Sequence, residues 1–233
     1  MTNWRFYLYV FFIGCVILGA SLFSHYRQFY VENRENFVTK SSKKTIILLG
    51  DSILKNNSYV ESGQSIEDLL KKQESDKQNM IVLAKDDATI ASTYAQLDAI
   101  PSDENRENTT LFLSIGGNDI INTYSLHGDT DNLIEVIFTK YKQLISSIRV
   151  KLPKVKLILL DLYFPLKIDY TKYYRLIKRW NKMLGKYVAN TSNNITGIIK
   201  ISDLLTHSSD FAADIEPSES GGKKIINNII SMA

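Results

Sequence analysis

Three short apolar runs constrain the fold more than any other feature of this chain: Thr45-Ile46-Ile47-Leu48-Leu49, Leu111-Phe112-Leu113-Ser114-Ile115 and Val155 to Leu162. The last is near-continuous, as suits a strand buried on both faces, and the first two are β-branched runs ending at glycine-containing turns. Stretches of helical spacing separate them. Ser65 to Lys72 predicts a short helix, Met80 to Ala84 a second strand, and Thr89 to Ile100 a helix ended by Pro101. Asn132 to Val150 carries one apolar stripe and stops before Pro153, Tyr170 to Val188 returns to helical spacing, Thr196 to Ile201 predicts a fifth strand, and Ser220 to Met232 a closing amphipathic helix. Each parallel step needs a crossover, so the alternation implies an α/β fold. We expect a three-layer α/β/α sandwich with a five-stranded parallel, flavodoxin-like sheet in the order 2-1-3-4-5.

That order makes strands one and three neighbours and places the loops after them beside the crevice where such sheets keep their chemistry. Those loops are Gly50-Asp51-Ser52 and Gly116-Gly117-Asn118-Asp119, so Ser52 and Asn118 are expected to face one small pocket.

The rest of the composition narrows the function. A chain of 233 residues, 44% hydrophobic and 23% charged, can bury one sizeable core, and we divide it into a membrane anchor or signal segment (1–24), a linker (25–43) and one domain (44–233). Phe6 to Phe23 holds no charge and no proline, and its 18 residues reach about 27 Å as a helix, close to a bilayer's hydrocarbon thickness. A single anchoring helix is the first reading. A signal peptide cut after Ala20 is a second, and a lipoprotein signal at Cys15 fails because the apolar run continues past it. The single cysteine allows neither a disulfide nor a thiolate metal site, and no His, Asp or Glu grouping has metal-ligand spacing. The net charge of +3 comes from lysines scattered over many segments, which reads as solvated surface rather than a nucleic-acid face.

The motifs at the two strand ends resemble the first and third blocks of the SGNH (GDSL-like) hydrolase family, over residues 44 to 232 or so. Ile53 replaces the leucine usual in the first block, while the third matches throughout. The resemblance implies a serine ester hydrolase acting on an acyl or acetyl ester, small or polymer-borne, without cofactor or metal. Ser52 is then the nucleophile, and Asn118 with the Ser52 backbone N–H stabilises the oxyanion beside Gly117. In the second block, Asp86-Asp87-Ala88-Thr89 resembles the family's Asp-Gly-Ala-Thr, with Asp87 where a glycine would present a backbone donor. In the last block Ile215-Glu216-Pro217-Ser218 keeps the surroundings of Ile-His-Pro-Ser, but Glu216 replaces the histidine and Ala213 its aspartate. A carboxylate with a pKa of about 4.3 is a poor base until burial raises it, yet it needs no partner to fix a tautomer.

His207 and His127, each read as a loop residue, are alternative bases. Asp86, Asp87, Asp210 and Asp214 are read as turn acids, and Asp51 and Asp119 as loop-shaping acceptors of backbone N–H groups. Tyr163 and Phe164, at a strand's active end, are candidates for an acyl pocket, whereas Tyr170, Tyr173, Tyr174 and Trp180 read as helix packing. A catalytically inactive module on the same scaffold, holding an ester, lipid or glycan, is the alternative function. Because family members are commonly exported, the resemblance places the domain outside the cytoplasm, against the count of Arg27, Arg34, Lys40 and Lys43 after the span.

Overall fold

The computed structural model describes residues 4, 11, 18–34, 43–73, 78–128, 132–213 and 215–233. The chain divides into two compact units, 1–43 and 44–233. In the first, residues 18–34 form a helix (α1) whose side chains are all exposed. Most of the span Phe6 to Phe23 lies outside the described residues, and no helix among the described residues is long and apolar enough to cross a membrane.

The second unit runs β1 (Lys44–Gly50), α2 (Ile66–Lys71), β2 (Gln78–Val82), α3 (Ile90–Asp98), β3 (Thr109–Ser114), α4 (Gly117–His127), α5 (Leu133–Lys151), β4 (Lys156–Leu160), α6 (Tyr174–Ala189), β5 (Gly197–Ile199), α7 (Ile201–Leu204), β6 (Phe211–Ala212), β7 (Glu216–Pro217) and α8 (Glu219–Met232). All pairings among β1 to β5 are parallel, in the expected order β2-β1-β3-β4-β5. Successive strand residues face opposite layers. Ile47, Leu49, Leu111, Leu113, Leu157 and Leu159 join one core with α3 to α6, while Ile46, Leu48, Phe112, Ile158 and Leu160 join another with α2, α7 and α8. Residues 44–233 thus hold the whole sheet and both of these cores, which is what a unit needs to fold by itself.

Three elements depart from the sequence reading. The fifth strand keeps only Gly197–Ile199, because α7 starts at Ile201 instead of the strand continuing to it. The third-block residues Gly117, Asn118 and Asp119 open α4 rather than lie in a loop, and His127 ends that helix. Ahead of α8, β6 and β7 form a two-stranded antiparallel ribbon that pairs Phe211 with Pro217 and Ala212 with Glu216.

Candidate active site

The serine turn is locked from three sides. Gly50 has φ +132°, and a Cβ there would lie 1.7 Å from the Ser114 carbonyl oxygen, so only glycine lets β1 pass β3 this closely. Buried Gln96 of α3 accepts from Gly50 N–H (2.8 Å) and donates to Gly50 C=O (2.9 Å). Asp51 accepts from Ser114 Oγ (3.0 Å) and Ile53 N–H (3.3 Å), while its own N–H reaches Ser114 C=O (3.0 Å). Ser52 is left just past the carboxyl end of β1 with 9% of its surface exposed.

Glu216 reaches this serine from the β6–β7 ribbon. The Ser52 hydroxyl donates to Glu216 Oε1 at 3.0 Å, across 164 positions of sequence. The ribbon turns at Ala213 (φ +42°) and is tied down by two buried side chains. Asn56, fully buried, donates to Pro217 C=O (2.6 Å) and accepts from Ile66 N–H (2.7 Å), and the Tyr163 hydroxyl donates to Ile215 C=O. Glu216 is 5% exposed, and its Oε2 has no hydrogen-bond partner among the described residues. Burial is the main cause raising its pKa to about 7; the Ser52 hydrogen bond opposes the rise, and the charges of Asp86 and Asp87 add to it.

The facing side of the site is assembled from the second and third blocks. Gly116 has φ +116°, and a Cβ there would come within 2.6 Å of the fully buried Trp180 ring. From the first turn of α4, Asn118 Nδ2 donates to Ala88 C=O (2.9 Å), and Asp119 Oδ2 accepts from Ile90 N–H (3.0 Å) at the start of α3. Lys85 N–H binds Gly50 C=O (3.0 Å), so all three loops form one hydrogen-bonded rim. A carboxamide carries two N–H donors, and the Ala88 bond uses one. The backbone N–H groups of Ser52 and Asp87 donate to no described residue.

Asp87 occupies the left-handed region at φ +56°, the backbone state that favours the family's glycine, and its side chain is exposed. Asp86 accepts from Ser58 Oγ (2.7 Å), and its other oxygen has no partner among the described residues.

A small apolar cleft adjoins the rim, lined by Gly117 and Ile120 of α4, by Tyr163, Tyr170 and Tyr173, and by Ile215 beside Glu216. Tyr170 and Tyr173, expected to pack within a helix, therefore line this cleft, while Phe164 packs edge-on against Tyr174 outside it. Trp180 is core, edge-on to Phe138 and Tyr141. His207 has a 75% exposed side chain and lies 3.8 Å from Asp210, and His127 is exposed at the end of α4. Asp210 is no solvated turn acid: it is 1% exposed, pairs with Lys224 (2.7 Å), and accepts from Thr206 and His207 N–H. Asp214 lies outside the described residues. No group of three or more His, Cys, Asp or Glu among the described residues could hold a metal ion.

No protein-family model matches the sequence, and no curated protein matches it; the likeness to known proteins is one of structure. A member of the lipolytic G-D-S-L family from Veillonella parvula superposes with a TM-score of 0.63 at 19% identity, covering 81% of this chain and 97% of that one. Phospholipase A1 from Streptomyces albidoflavus gives 0.58 at 15%, covering 82% and 100%, and an acetyl xylan esterase gives 0.58 at 17%, covering 80% and 98%. The chain has the SGNH (GDSL-like) hydrolase fold.

Proposed function

We propose that the chain is a serine ester hydrolase in which Glu216 does the work of the family's histidine. The observation that carries this reading is the 3.0 Å contact between the Ser52 hydroxyl and a buried carboxylate whose pKa lies at about 7. Ionised Glu216 takes the hydroxyl proton as Ser52 Oγ bonds to the ester carbon. The carbonyl oxygen, now negative, accepts from the free N–H groups of Ser52 and Asp87 and from the second Asn118 amide hydrogen. Protonated Glu216 then gives its proton to the departing alkoxide, leaving an acyl-serine. Water attacks that ester with Glu216 again as base, and the acid leaves as Ser52 recovers its proton.

A base needs a pKa near the working pH, and the desolvated position of Glu216 beside Asp86 and Asp87 meets that need. A carboxylate has no tautomer to fix, so Ala213 in place of the aspartate removes nothing it requires. The apolar lining of the cleft suits the hydrocarbon part of an ester. We also propose that the amino-terminal segment anchors this unit to a membrane with the domain on the outer side; the exposed Leu18, Leu22, Phe23 and Phe29 on α1 support that reading.

Labelling with a fluorophosphonate tests the function. A covalent adduct at Ser52, lost in Ser52→Ala together with turnover of a soluble ester, is the expected result. A chain that binds esters but never labels is instead the inactive binding module.

A further inference from the structure

The basic residues of this chain are less scattered than the sequence suggests. Residues 164–190 hold seven lysines and arginines against Asp169 alone, a net +6 in a chain of net +3, so the remainder is net −3. On α6, Arg175, Lys178, Lys182 and Lys186 follow one another at spacings of three, four and four, which puts them on one face. The opposite face, Leu176, Ile177, Trp180 and Leu184, is buried in the core. Lys178, Lys182 and Lys186 are exposed and pair with no acid among the described residues.

Aliphatic side chains stand at the amino-terminal end of this face. Leu166 is 46% and Ile168 77% exposed, on a segment held to α6 by the hydrogen bond from the Tyr174 hydroxyl to Pro165 C=O (2.5 Å). The same segment turns Pro165, Tyr170 and Tyr173 inward as a wall of the apolar cleft.

We propose that this face, from Leu166 along the lysines of α6, docks the catalytic unit on an anionic phospholipid surface, with the lysines at the phosphates and Leu166 and Ile168 entering the interface. Charge complementarity selects the partner: a positive face on an otherwise negative unit is drawn to anionic headgroups. Aliphatic wedges distinguish lipid from nucleic acid, which calls for exposed aromatic platforms, whereas Trp180 and Tyr173 are buried. Resting on the hydrolase reading, docking also names the substrate class: the acyl ester of a membrane lipid, taken up by a cleft whose wall is the docking segment.

The test uses residues 44–233 in co-sedimentation with vesicles of phosphatidylcholine alone and of phosphatidylcholine with phosphatidylglycerol. Partitioning onto the anionic vesicles should exceed that onto neutral ones by at least about ten-fold and fall as salt rises. The triple change Lys178→Glu, Lys182→Glu, Lys186→Glu should abolish that preference, and Ile168→Asp should weaken binding several-fold, both without altering the melting temperature. Equal binding to the two vesicle types, full binding by the triple variant, or tighter binding to single-stranded DNA than to vesicles would overturn the proposal. Ser52 labelling and turnover of p-nitrophenyl acetate, measured on the same variants, stay unchanged on this view. Vesicle binding by a chain that never labels would uphold docking while removing the hydrolase reading.

Discussion

Two carboxylates lie at the heart of this molecule, one in the turn after β1 and one on the ribbon before α8, and they are buried almost equally. Asp51 is 3% exposed and Glu216 5%, and in each case burial is the main cause raising the pKa to about 7. They differ in what surrounds the oxygens. Asp51 accepts from Ser114 Oγ and Ile53 N–H and so ties the serine turn to β3. Glu216 accepts only from Ser52, and its second oxygen has no partner among the described residues. Burial alone does not make a base. A buried carboxylate held by fixed donors is scaffold, whereas one whose only donor among the described residues is the Ser52 hydroxyl is placed to take that proton.

The contrast breaks most visibly by neutralising each acid in turn. Glu216→Gln should lower kcat/KM for a soluble ester by about 10²- to 10⁴-fold, the range spanned by general-base removal, while Asp51→Asn, which keeps an acceptor for Ser114 and Ile53, should stay within about ten-fold of wild type. Equal losses in the two variants would erase the distinction. Removing the brace of the ribbon comes next. Asn56→Ala deletes two buried hydrogen bonds, and urea denaturation should show a loss of about 2–4 kcal/mol, with activity falling as Glu216 loses its register against Ser52.

Stability against pH sharpens the comparison further. Both folded-state pKa values lie above those of the unfolded chain, so between about pH 4 and 7 the native state holds protons that the unfolded state has released. The contribution of these groups is therefore full below about pH 4 and is lost as pH rises through about 7. Glu216→Gln removes that loss: thermal or urea melts at pH 8 should show the variant more stable by about 2–3 kcal/mol, the difference vanishing toward pH 4. The smallest effect is expected from Asp87→Gly. It relaxes a left-handed backbone by up to about 1 kcal/mol and removes a charge that raises the Glu216 pKa, so the pH midpoint of activity should move slightly downward.

Much of this was readable in the sequence because strands buried on both faces leave continuous apolar runs, and their alternation with helices implies a parallel sheet. Ser52, Asn118 and Glu216 stood out because glycine and proline frames survive around them: a Cβ at Gly50 would meet the Ser114 backbone, and Gly116 has a φ of +116° and faces the Trp180 ring. Helix α4 left a weaker trace, since Ile120 is its only buried residue and Ile121 and Tyr124 are only partly buried against the core. The ribbon was invisible for a related reason, as two-residue strands have no period. Asn56 and Gln96, and the bond from the Tyr163 hydroxyl to Ile215, were missed because the partners are backbone atoms 10 to 161 positions away, although Tyr163 itself was read as a pocket residue and lines the cleft. The tyrosines of the cleft carried a helical spacing, but residues 168–173 form a 3₁₀ segment that turns Tyr170 and Tyr173 to the cleft.

A carboxylate base at its ordinary pKa would sustain activity in acid, whereas Glu216, raised chiefly by burial to about 7, should titrate near neutrality. The most direct measurement is the rate of fluorophosphonate labelling of Ser52 from pH 5 to 9, in wild type and in Glu216→Gln. With Glu216 as the base, the wild-type rate rises through a single step near pH 7, and the variant is slow with no step there. A variant that labels at the wild-type rate with the same midpoint would contradict the assignment, because the proton would then be leaving Ser52 by another route.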